Sequence, residues 1–502
     1  MLFNSIECIF VFLPGVALGY FVLGKRSPNA AIVWLVAASL AFYAWWDPRY
    51  LTLLVGSVVF NYLIGRRIGA GRYTAFWLAL GIVTNLCLLG YYKYANFFLD
   101  NLVLVSGHAF SVDRIILPLG ISFFTFTQIA YLVDVWRSEA REYHFTKYLL
   151  FATFFPHLIA GPILHHKEIM PQFDDAQTFR VNWERIAEGL SFFALGLAKK
   201  ILLADNIAPY ATDVFEAARM GSVSFLEAWQ GSLSYTLQLY FDFSGYCDMA
   251  IGAALLFGIR MPVNFASPYK SLSIIEFWRT WHMTLARFLR DYLYIPLGGN
   301  RVGELRRYLN LIIVMLLGGL WHGAGWTFVV WGGLHGMYLL INHAWRSAFR
   351  ASAPNIALNA AYWVLTFICV VFAWVFFRAD SLQTAINMMY GMLGLQGFVL
   401  ELNYRAYFGP LAHWLEALGF TFAPATQMRV AALPWILGLL AICLALPNSQ
   451  QWIWDKKPLL AAKQFGLLCW RPTTVYGLTL GALATYAISK IGQPSEFLYF
   501  NF

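Results

Sequence analysis

Long apolar runs recur along the chain, and short polar or charged stretches separate them. A helix needs about 20 apolar residues to cross a bilayer. Outside the central region, such runs predict helices over 5–24, 29–47, 50–65, 73–92, 358–377, 431–447 and 473–490. The pattern predicts an all-α polytopic membrane protein, and with the central helices added we expect roughly 10–13 spans.

The central region, residues 115–345, departs from this simple pattern. Proline, glycine and charged residues interrupt its apolar runs, which predict helices over 114–135, 148–164, 185–204, 228–257 and 308–345. We expect a break near Pro118 and Gly120. Irregular backbone at membrane depth has to face protein or a water-filled cavity, and ionisable residues there are functional candidates. We therefore expect the site here, among re-entrant and interfacial helices.

Composition supports a membrane protein and leaves little room for a separate soluble domain. The chain is 60% hydrophobic and 12% charged, whereas soluble proteins are about 25% charged. Residues 1–350 are expected to form the core, with 351–502 as a helical extension of the same membrane domain. The formal charge of +9 comes from basic residues in short loops, where they set topology and contact anionic lipid. No nucleic-acid partner is expected, and six scattered cysteines predict neither a disulfide framework nor a metal site.

Loop charges predict the orientation of the chain. No basic residue precedes the first apolar run, and Lys25 and Arg26 follow it, an arrangement opposite to that of a cleaved signal peptide. The next loops carry one basic residue, Arg49, and then three, at Arg66, Arg67 and Arg72. The alternation predicts a retained first helix whose N-terminus is external, which in a bacterial inner membrane would be the periplasmic side.

The stretch GGLWHGAGWTF places His322 inside an uncharged segment that Arg307 and Arg346 bound. The segment is too long for one span, and the glycines at 323 and 325 weaken a continuous helix. Two helices meeting near His322 are therefore predicted. Fifteen helical residues from Arg307 would carry the histidine roughly 22 Å deep. A neutral imidazole there suits a general base, but a hydrogen-bonded packing histidine explains the spacing equally well.

The stretch from Glu276 to Arg301 alternates aromatic and basic side chains. It predicts a helix along the cytoplasmic interface, with Arg287 paired to Asp291 at i,i+4. Such a surface could bind a phosphorylated, anionic cofactor such as coenzyme A, or simply lipid headgroups. The basic candidates for the cofactor are Arg279, Arg287 and Arg290.

A third stretch, 234–252, places Asp242, Ser244, Tyr246 and Asp248 in an otherwise apolar helix. Carboxylates within a span have to face a cavity or a partner. A Ser–His–Asp hydrolase built from Ser244, His322 and Asp242 is conceivable, but no G-x-S-x-G nucleophile motif is present. The segment FFPHLIAGPI precedes His165, His166 and Glu168, for which no second ligand cluster matches a metal site.

Side by side, these stretches resemble the membrane-bound O-acyltransferase family, in its bacterial alginate O-acetyltransferase branch. The resemblance runs along the whole chain, and its most specific part is the pairing of the FWRTWH and LWHG motifs. The other matching stretches are LPLGISFFTFTQIAYLVDVWR, FFPHLIAGPI, QLYFDFSGYCDMAIG, FAWVFFRADSLQTA, LPNSQQ and FLYFNF.

The resemblance implies a ring of helices around a thinned membrane centre, with a tunnel that meets His322 from both sides. It implies acyl transfer from acetyl-coenzyme A, which enters from the cytoplasm and is not permanently bound. His322 would be the base, and His282 would orient the thioester or stabilise the oxyanion. Trp321, Asp242, Ser244 and Tyr246 would line the tunnel. The implied partners are a periplasmic acetyltransferase of the SGNH type and an exported, alginate-like polysaccharide.

Two other functions stay open at this point. A related branch transfers D-alanine towards teichoic acids, although the FRADS and LPNSQQ stretches favour polysaccharide acetylation. A transporter or flippase could use Asp242, Asp248 and His322 as a proton or substrate path. Such a protein would be expected to show internal repeats, and the sequence shows none.

Overall fold

The computed structural model describes residues 1–108, 113–142, 144–349, 355–424, 426–454, 469–492 and residue 498. The first third of the chain is helical. Its helices are α1 (Leu13–Gly24), α2 (Pro28–Ala44), α3 (Leu51–Gly69), α4 (Thr74–Leu89), α5 (Ala95–Ser106) and α6 (Ile121–Trp136). A π-helical turn, Cys8–Phe12, precedes α1, and a 3-10 turn, Pro48–Tyr50, precedes α3. The first three predicted helices are confirmed to within a few residues.

The fourth predicted helix extends further than expected. A π-helical turn, Gly90–Tyr94, joins α4 to α5, so one helix runs from Thr74 to Ser106. The expected break before α6 is confirmed, because the helix begins at Ile121 directly after Gly120 in a left-handed conformation (φ 71°).

The central region consists of shorter pieces around one long helix. Its helices are α7 (Phe145–Thr153), α8 (Phe155–Leu158), α9 (His166–Ile169), α10 (Trp183–Ala198), α11 (Asp205–Met220), α12 (Phe225–Leu256), α13 (Ile274–Thr280), α14 (Met283–Leu289), α15 (Glu304–His322) and α16 (Trp326–Ala348). Turns of π-helix cover Lys199–Ala204 and Arg290–Tyr294, and 3-10 turns cover Met170–Phe173, Ala176–Phe179 and Pro268–Lys270.

Two central predictions need correction. The single helix expected over 148–164 is two short helices, because Phe154 takes a non-helical conformation (ψ 110°) ahead of Pro156. The single interfacial helix expected between Glu276 and Arg301 is divided into α13 and α14, because the backbone of His282 is left-handed (φ 42°).

The C-terminal part adds helices and a small sheet. Its elements are α17 (Ile356–Arg378), α18 (Leu382–Met392), β1 (Phe398–Glu401), α19 (Tyr404–Phe408), α20 (Pro410–Ala417), β2 (Phe420–Ala423), α21 (Ala432–Ala445), α22 (Ser449–Ile453) and α23 (Thr474–Ser489). The two strands pair in parallel, with Phe398 opposite Phe420. Apart from Leu498, the FLYFNF stretch lies outside the described residues.

Helix length and composition agree with a polytopic membrane protein. Three described helices are long and apolar enough to cross a membrane, at Pro48–Gly69, Thr74–Ser106 and Ile356–Arg378. Shorter apolar helices lie at Cys8–Gly24, Pro28–Ala44, Ile121–Trp136, Ala432–Ala445 and Thr474–Ser489. The all-α polytopic class is confirmed, and the total of roughly 10–13 spans stays a prediction.

Helix α12 is the centre of the packing, since nearly all of its residues are buried. Its backbone lies directly against that of α10. A Cβ atom on Gly196 would be 2.5 Å from the carbonyl oxygen of Gly245, and one on Gly189 would be 2.8 Å from that of Gly252. Close packing through small residues is typical of helices in membranes.

Candidate active site

His322 lies at the buried end of α15, with 3% of its surface exposed. The helix ends there because Gly323 takes an extended conformation (φ −157°), and α16 returns in the opposite direction. This is the predicted pair of helices meeting at His322. A Cβ on Gly319 would collide with the carbonyl oxygen of Phe328 on α16, so glycine here keeps the tip of the hairpin narrow.

His282 is fully buried between α13 and α14. Its Nδ1 lies 3.3 Å from Oδ1 of Asn264. The same amide oxygen accepts hydrogen bonds from the main-chain amide and the hydroxyl of Thr284, at 3.1 and 2.7 Å. Asn264 therefore fixes the orientation of the His282 ring. Sequence reasoning missed Asn264 because it lies in a non-helical stretch outside the quoted motifs.

The structure brings the two predicted histidines together. Their ring centroids are 6.2 Å apart, although the residues are far apart in sequence. Aromatic rings enclose His322: Trp321 and Trp331 lie at 5.0 and 5.1 Å, and Phe377 lies at 5.1 Å. Phe377 belongs to α17, so residues beyond 350 contribute to this pocket.

A third histidine, His335, belongs to the same cluster. It is fully buried, and its ring lies 4.9 Å from that of Trp331. The indole N–H of Trp278 donates to its Nδ1 at 3.2 Å. It follows the GGLWHGAGWTF stretch by seven residues, and nothing in the spacing distinguished it from a packing residue.

The arginines predicted for cofactor binding line one cavity of about 880 Å³. Its wall reaches α15 as far as Met315, which is seven residues before His322. At 1.5 Å per residue, that separation is about 10 Å along the helix. The basic residues of this cavity are Arg260, Arg279, Arg287, Arg290 and His343.

The predicted ion pair between Arg287 and Asp291 is wrong. Arg287 donates instead to both carboxylate oxygens of Glu168, at 2.5 and 3.0 Å, and Asp291 pairs with Arg290 at 2.7 Å. The turn that contains Asp291 is π-helical, so the i,i+4 geometry of an α-helix does not hold there. Arg279 is exposed and has no ion-pair partner among the described residues, which leaves it available to an incoming anion.

A second cavity, of about 520 Å³, lies at the N-terminal end of α6. Residues 117–123 form part of its wall, and Phe123 contacts Trp321 with ring centroids 5.3 Å apart. At the far end of α6, Arg137 donates to the main-chain oxygen of Asp291, beside the basic cavity, at 3.1 Å. Sixteen helical residues separate the two ends by about 24 Å. The histidine pair thus lies between two cavities at opposite ends of α6.

The two aspartates of α12 are held in ion pairs. Asp242 pairs with Lys200 at 2.7 Å and accepts the main-chain amide of Leu498 at 3.1 Å. Asp248 pairs with Lys199, also at 2.7 Å. These carboxylates were expected to face a cavity or a partner, and each of them has a partner.

The other tunnel candidates on α12 are buried among apolar neighbours. Ser244 and Tyr246 are each 2% exposed, and the Tyr246 ring lies 5.3 Å from that of Phe3. The neighbouring Phe243 contacts the ring of His282, with centroids 4.9 Å apart.

The histidines after FFPHLIAGPI contact separate acidic residues. His165 Nδ1 lies 3.5 Å from Asp134 and 3.0 Å from the hydroxyl of Tyr292, and His166 Nε2 lies 3.4 Å from Glu142. Within the described ranges, no group of three or more His, Cys, Asp or Glu residues is placed to hold a metal ion.

Known proteins with similar sequences are named as acetylating or D-alanylating enzymes. The chain is 44% identical to the peptidoglycan O-acetyltransferase of Helicobacter pylori over 100% of this chain and 98% of that protein. It is 46% identical to a probable alginate O-acetylase of Pseudomonas aeruginosa over 80% of this chain and 77% of that protein. A teichoic acid D-alanyltransferase of Streptococcus thermophilus is 29% identical over 45% of this chain and 57% of that protein.

A family model also matches this chain. The model for the membrane-bound O-acyltransferase family covers residues 70–383, which is more than half of the chain and contains both histidines, the basic cavity and Phe377. Given that match and full-length similarity to an O-acetyltransferase, the chain belongs to the membrane-bound O-acyltransferase family and is an acyltransferase.

Proposed function

We propose that this protein moves an acetyl group from cytoplasmic acetyl-coenzyme A across the inner membrane, for O-acetylation of an exported polysaccharide. The observation that supports this best is the buried pair of His282 and His322 between two cavities, one of them basic. The relatives named as acetylating enzymes act on peptidoglycan or alginate, and they match far more of the chain than the D-alanyltransferase does.

The donor would bind in the basic cavity, with its phosphates against Arg279 and Arg260. The cavity volume is within the usual range for small-molecule sites, about 300–1,000 Å³. From its inner wall the thioester arm has to advance about 10 Å beside α15 to reach His322. The second cavity would then admit the acceptor from the external side.

The chemistry follows from the two imidazoles. The acceptor hydroxyl attacks the thioester carbonyl carbon while His322 takes the hydroxyl proton. As the tetrahedral intermediate collapses, the carbon–sulfur bond breaks and His322 returns the proton to the leaving thiolate. His282 donates its Nδ1–H to Asn264, so its neutral ring presents Nε2 as an acceptor that can orient the attacking hydroxyl, and it would donate a hydrogen bond to the developing oxyanion only as an imidazolium. The exclusion of water by the surrounding aromatic rings strengthens such a hydrogen bond.

The external acceptor would be a periplasmic acetyltransferase of the SGNH type, which then modifies the polysaccharide. Peptidoglycan and an alginate-like polymer both fit as the final acceptor. A purified preparation with each polymer and the partner enzyme distinguishes them by the product that carries the acetyl label.

Replacement of His322 tests the function. In vesicles supplied with labelled acetyl-coenzyme A, the partner enzyme and the polymer, wild-type protein should release coenzyme A and label the polymer. His322→Ala should lower the rate by about 10²–10⁴-fold, the usual contribution of a general base. His413→Ala is the matched control, because His413 lies exposed on α20. Wild-type activity in the His322→Ala variant would exclude the proposed base, and solute flux without any turnover of acetyl-coenzyme A would exclude an acetyltransferase.

A further inference from the structure

At the end that carries His322, the last main-chain carbonyls of helix α15 have hydrogen-bond partners outside the helix. The last carbonyls of any helix have no partner within it. The main-chain amide of Gly323 donates a hydrogen bond to the carbonyl of Gly319, at 3.3 Å. The carbonyl of Leu320 instead accepts a hydrogen bond from the hydroxyl of Tyr94, at 2.7 Å. A side chain from the distant α4–α5 helix thus contributes to the end of α15.

Lys93 supplies the next partners. Its ammonium donates to the carbonyls of Trp321 and His322, the latter at 3.2 Å. It also donates to the hydroxyl of Ser122, at 3.2 Å, and lies 5.8 Å from the centre of the Trp321 ring. Two consecutive side chains, Lys93 and Tyr94, therefore bind the last three carbonyls of α15.

The π-helical turn Gly90–Tyr94 explains why these side chains point at α15. A π turn contains one more residue than an α-helical turn, and such turns recur at functional sites. The extra residue rotates the following side chains by roughly 100° about the helix axis. Lys93 thereby enters the interior, where it is only 7% exposed.

The positive charge of Lys93 is electrostatically favourable at the C-terminal end of α15. The end of a helix carries a partial negative charge of roughly half an electron, and a buried ammonium needs such compensation. In the described part of the chain, the contacts of Lys93 are two carbonyls, a hydroxyl and an indole ring, and none is a carboxylate. The charge of Lys93 is therefore directed at the main chain of Trp321 and His322.

We propose that Lys93 and Tyr94 are positioning residues that hold the His322 end of α15 at the reacting centre. The proposal rests on the acetyl transfer proposed above. Beyond His322 the helix is interrupted by glycine and cannot be held by its own continuation. A shift of about 1 Å at a reacting group can cost about 10²-fold in rate, so lateral contacts at this end control catalysis without touching the substrate.

Four variants test the proposal in the vesicle assay. Lys93→Met, of similar length but uncharged, should lower kcat by about 10- to 100-fold and leave the KM for acetyl-coenzyme A unchanged, because the basic cavity lies elsewhere. Lys93→Arg restores the charge and should recover part of kcat. Tyr94→Phe, which removes one hydrogen bond, should lower kcat by about twofold to tenfold. Tyr91→Phe is the control, since Tyr91 lies in the same turn but is exposed.

The possible results distinguish a failure of the positioning role from a failure of the proposed function. A wild-type protein without acetyl transfer would refute the proposed function itself. With an active wild type and an inactive His322→Ala variant, unchanged kcat in a folded Lys93→Met variant would overturn the positioning role, and so would a rise in KM alone. If Lys93→Met does not insert into the membrane, the comparison of Tyr94→Phe with Tyr91→Phe decides: equal kcat values overturn the proposal, and a lower kcat in Tyr94→Phe supports it.

Discussion

Each histidine of the pair is oriented by a residue from another part of the chain. Asn264 binds the ring of His282, and Lys93 binds the main chain at His322. In the proposed mechanism the imidazoles would supply the chemistry, whereas the amide and the ammonium would determine where that chemistry takes place. At this scale, the arrangement of both histidines depends on hydrogen bonds to residues 18 and 229 positions away in sequence.

Arg279 allows a test of the donor cavity with a single substitution. Arg279→Gln removes the exposed guanidinium that has no ion-pair partner in the described part of the chain, and charge-assisted hydrogen bonds are worth about 1.5–3 kcal/mol. The KM for acetyl-coenzyme A should rise about tenfold or more, and kcat should stay near the wild-type value. Added salt should weaken this difference, because it screens exposed charges.

Arg405→Gln is the control for this measurement, since Arg405 pairs with Glu416 outside the cavity. An unchanged KM in Arg279→Gln would exclude a contact between Arg279 and the donor phosphates. A fall in kcat alone would point to a role at the histidine pair instead.

The sequence indicated the two candidate histidines but not the residues that contact them. His322 was a candidate because a titratable ring in an uncharged segment is unusual, and the FWRTWH motif added His282. Lys93 and Asn264 have no such signal, because their roles follow from contacts across the fold. For the same reason, the sequence could not show that Asp242 is paired with Lys200.

At the scale of helices, glycine determines how closely α10 and α12 pack. Gly196→Ala would place a Cβ 2.5 Å from the carbonyl oxygen of Gly245, and overpacking of this kind costs about 1–3 kcal/mol. The thermal unfolding midpoint in detergent should fall.

Gly438→Ala in α21 is the matched control, because no atom lies within 4 Å of its Cβ position. Alanine favours a helix over glycine by about 1 kcal/mol, so this variant should be as stable as the wild type or more so. Equal midpoints for both variants would contradict the close packing of α10 on α12.

Hydropathy predicted the long apolar helices, but several of their interruptions were not predicted. The outer helices follow apolar runs of the right length, so α1 to α3, α17, α21 and α23 lie close to expectation. The π-helical turns and the division between α13 and α14 depend on single backbone conformations such as that of His282. The short strands β1 and β2 were not predicted either, because their pairing joins segments that α19 and α20 separate in sequence.

At the scale of the whole molecule, the orientation in the membrane is testable. Basic residues favour the cytoplasmic side, so Arg26 before α2 should be cytoplasmic and Trp46 after α2 external. Both positions are exposed. In a background without the six native cysteines, a membrane-impermeant maleimide should label Trp46→Cys in intact cells and Arg26→Cys only after permeabilisation. The reverse pattern would place the basic cavity on the external side and exclude entry of cytoplasmic acetyl-coenzyme A through it.

The contact between Phe377 and His322 changes what counts as the smallest working unit of this protein. A fragment that stops at residue 350 retains both histidines and every arginine of the basic cavity, yet it lacks α17 and therefore one wall around the His322 ring. We expect water to enter through that opening. Truncated or split versions intended to retain acetyl transfer should therefore be divided after Arg378 and not at the apparent boundary between core and extension.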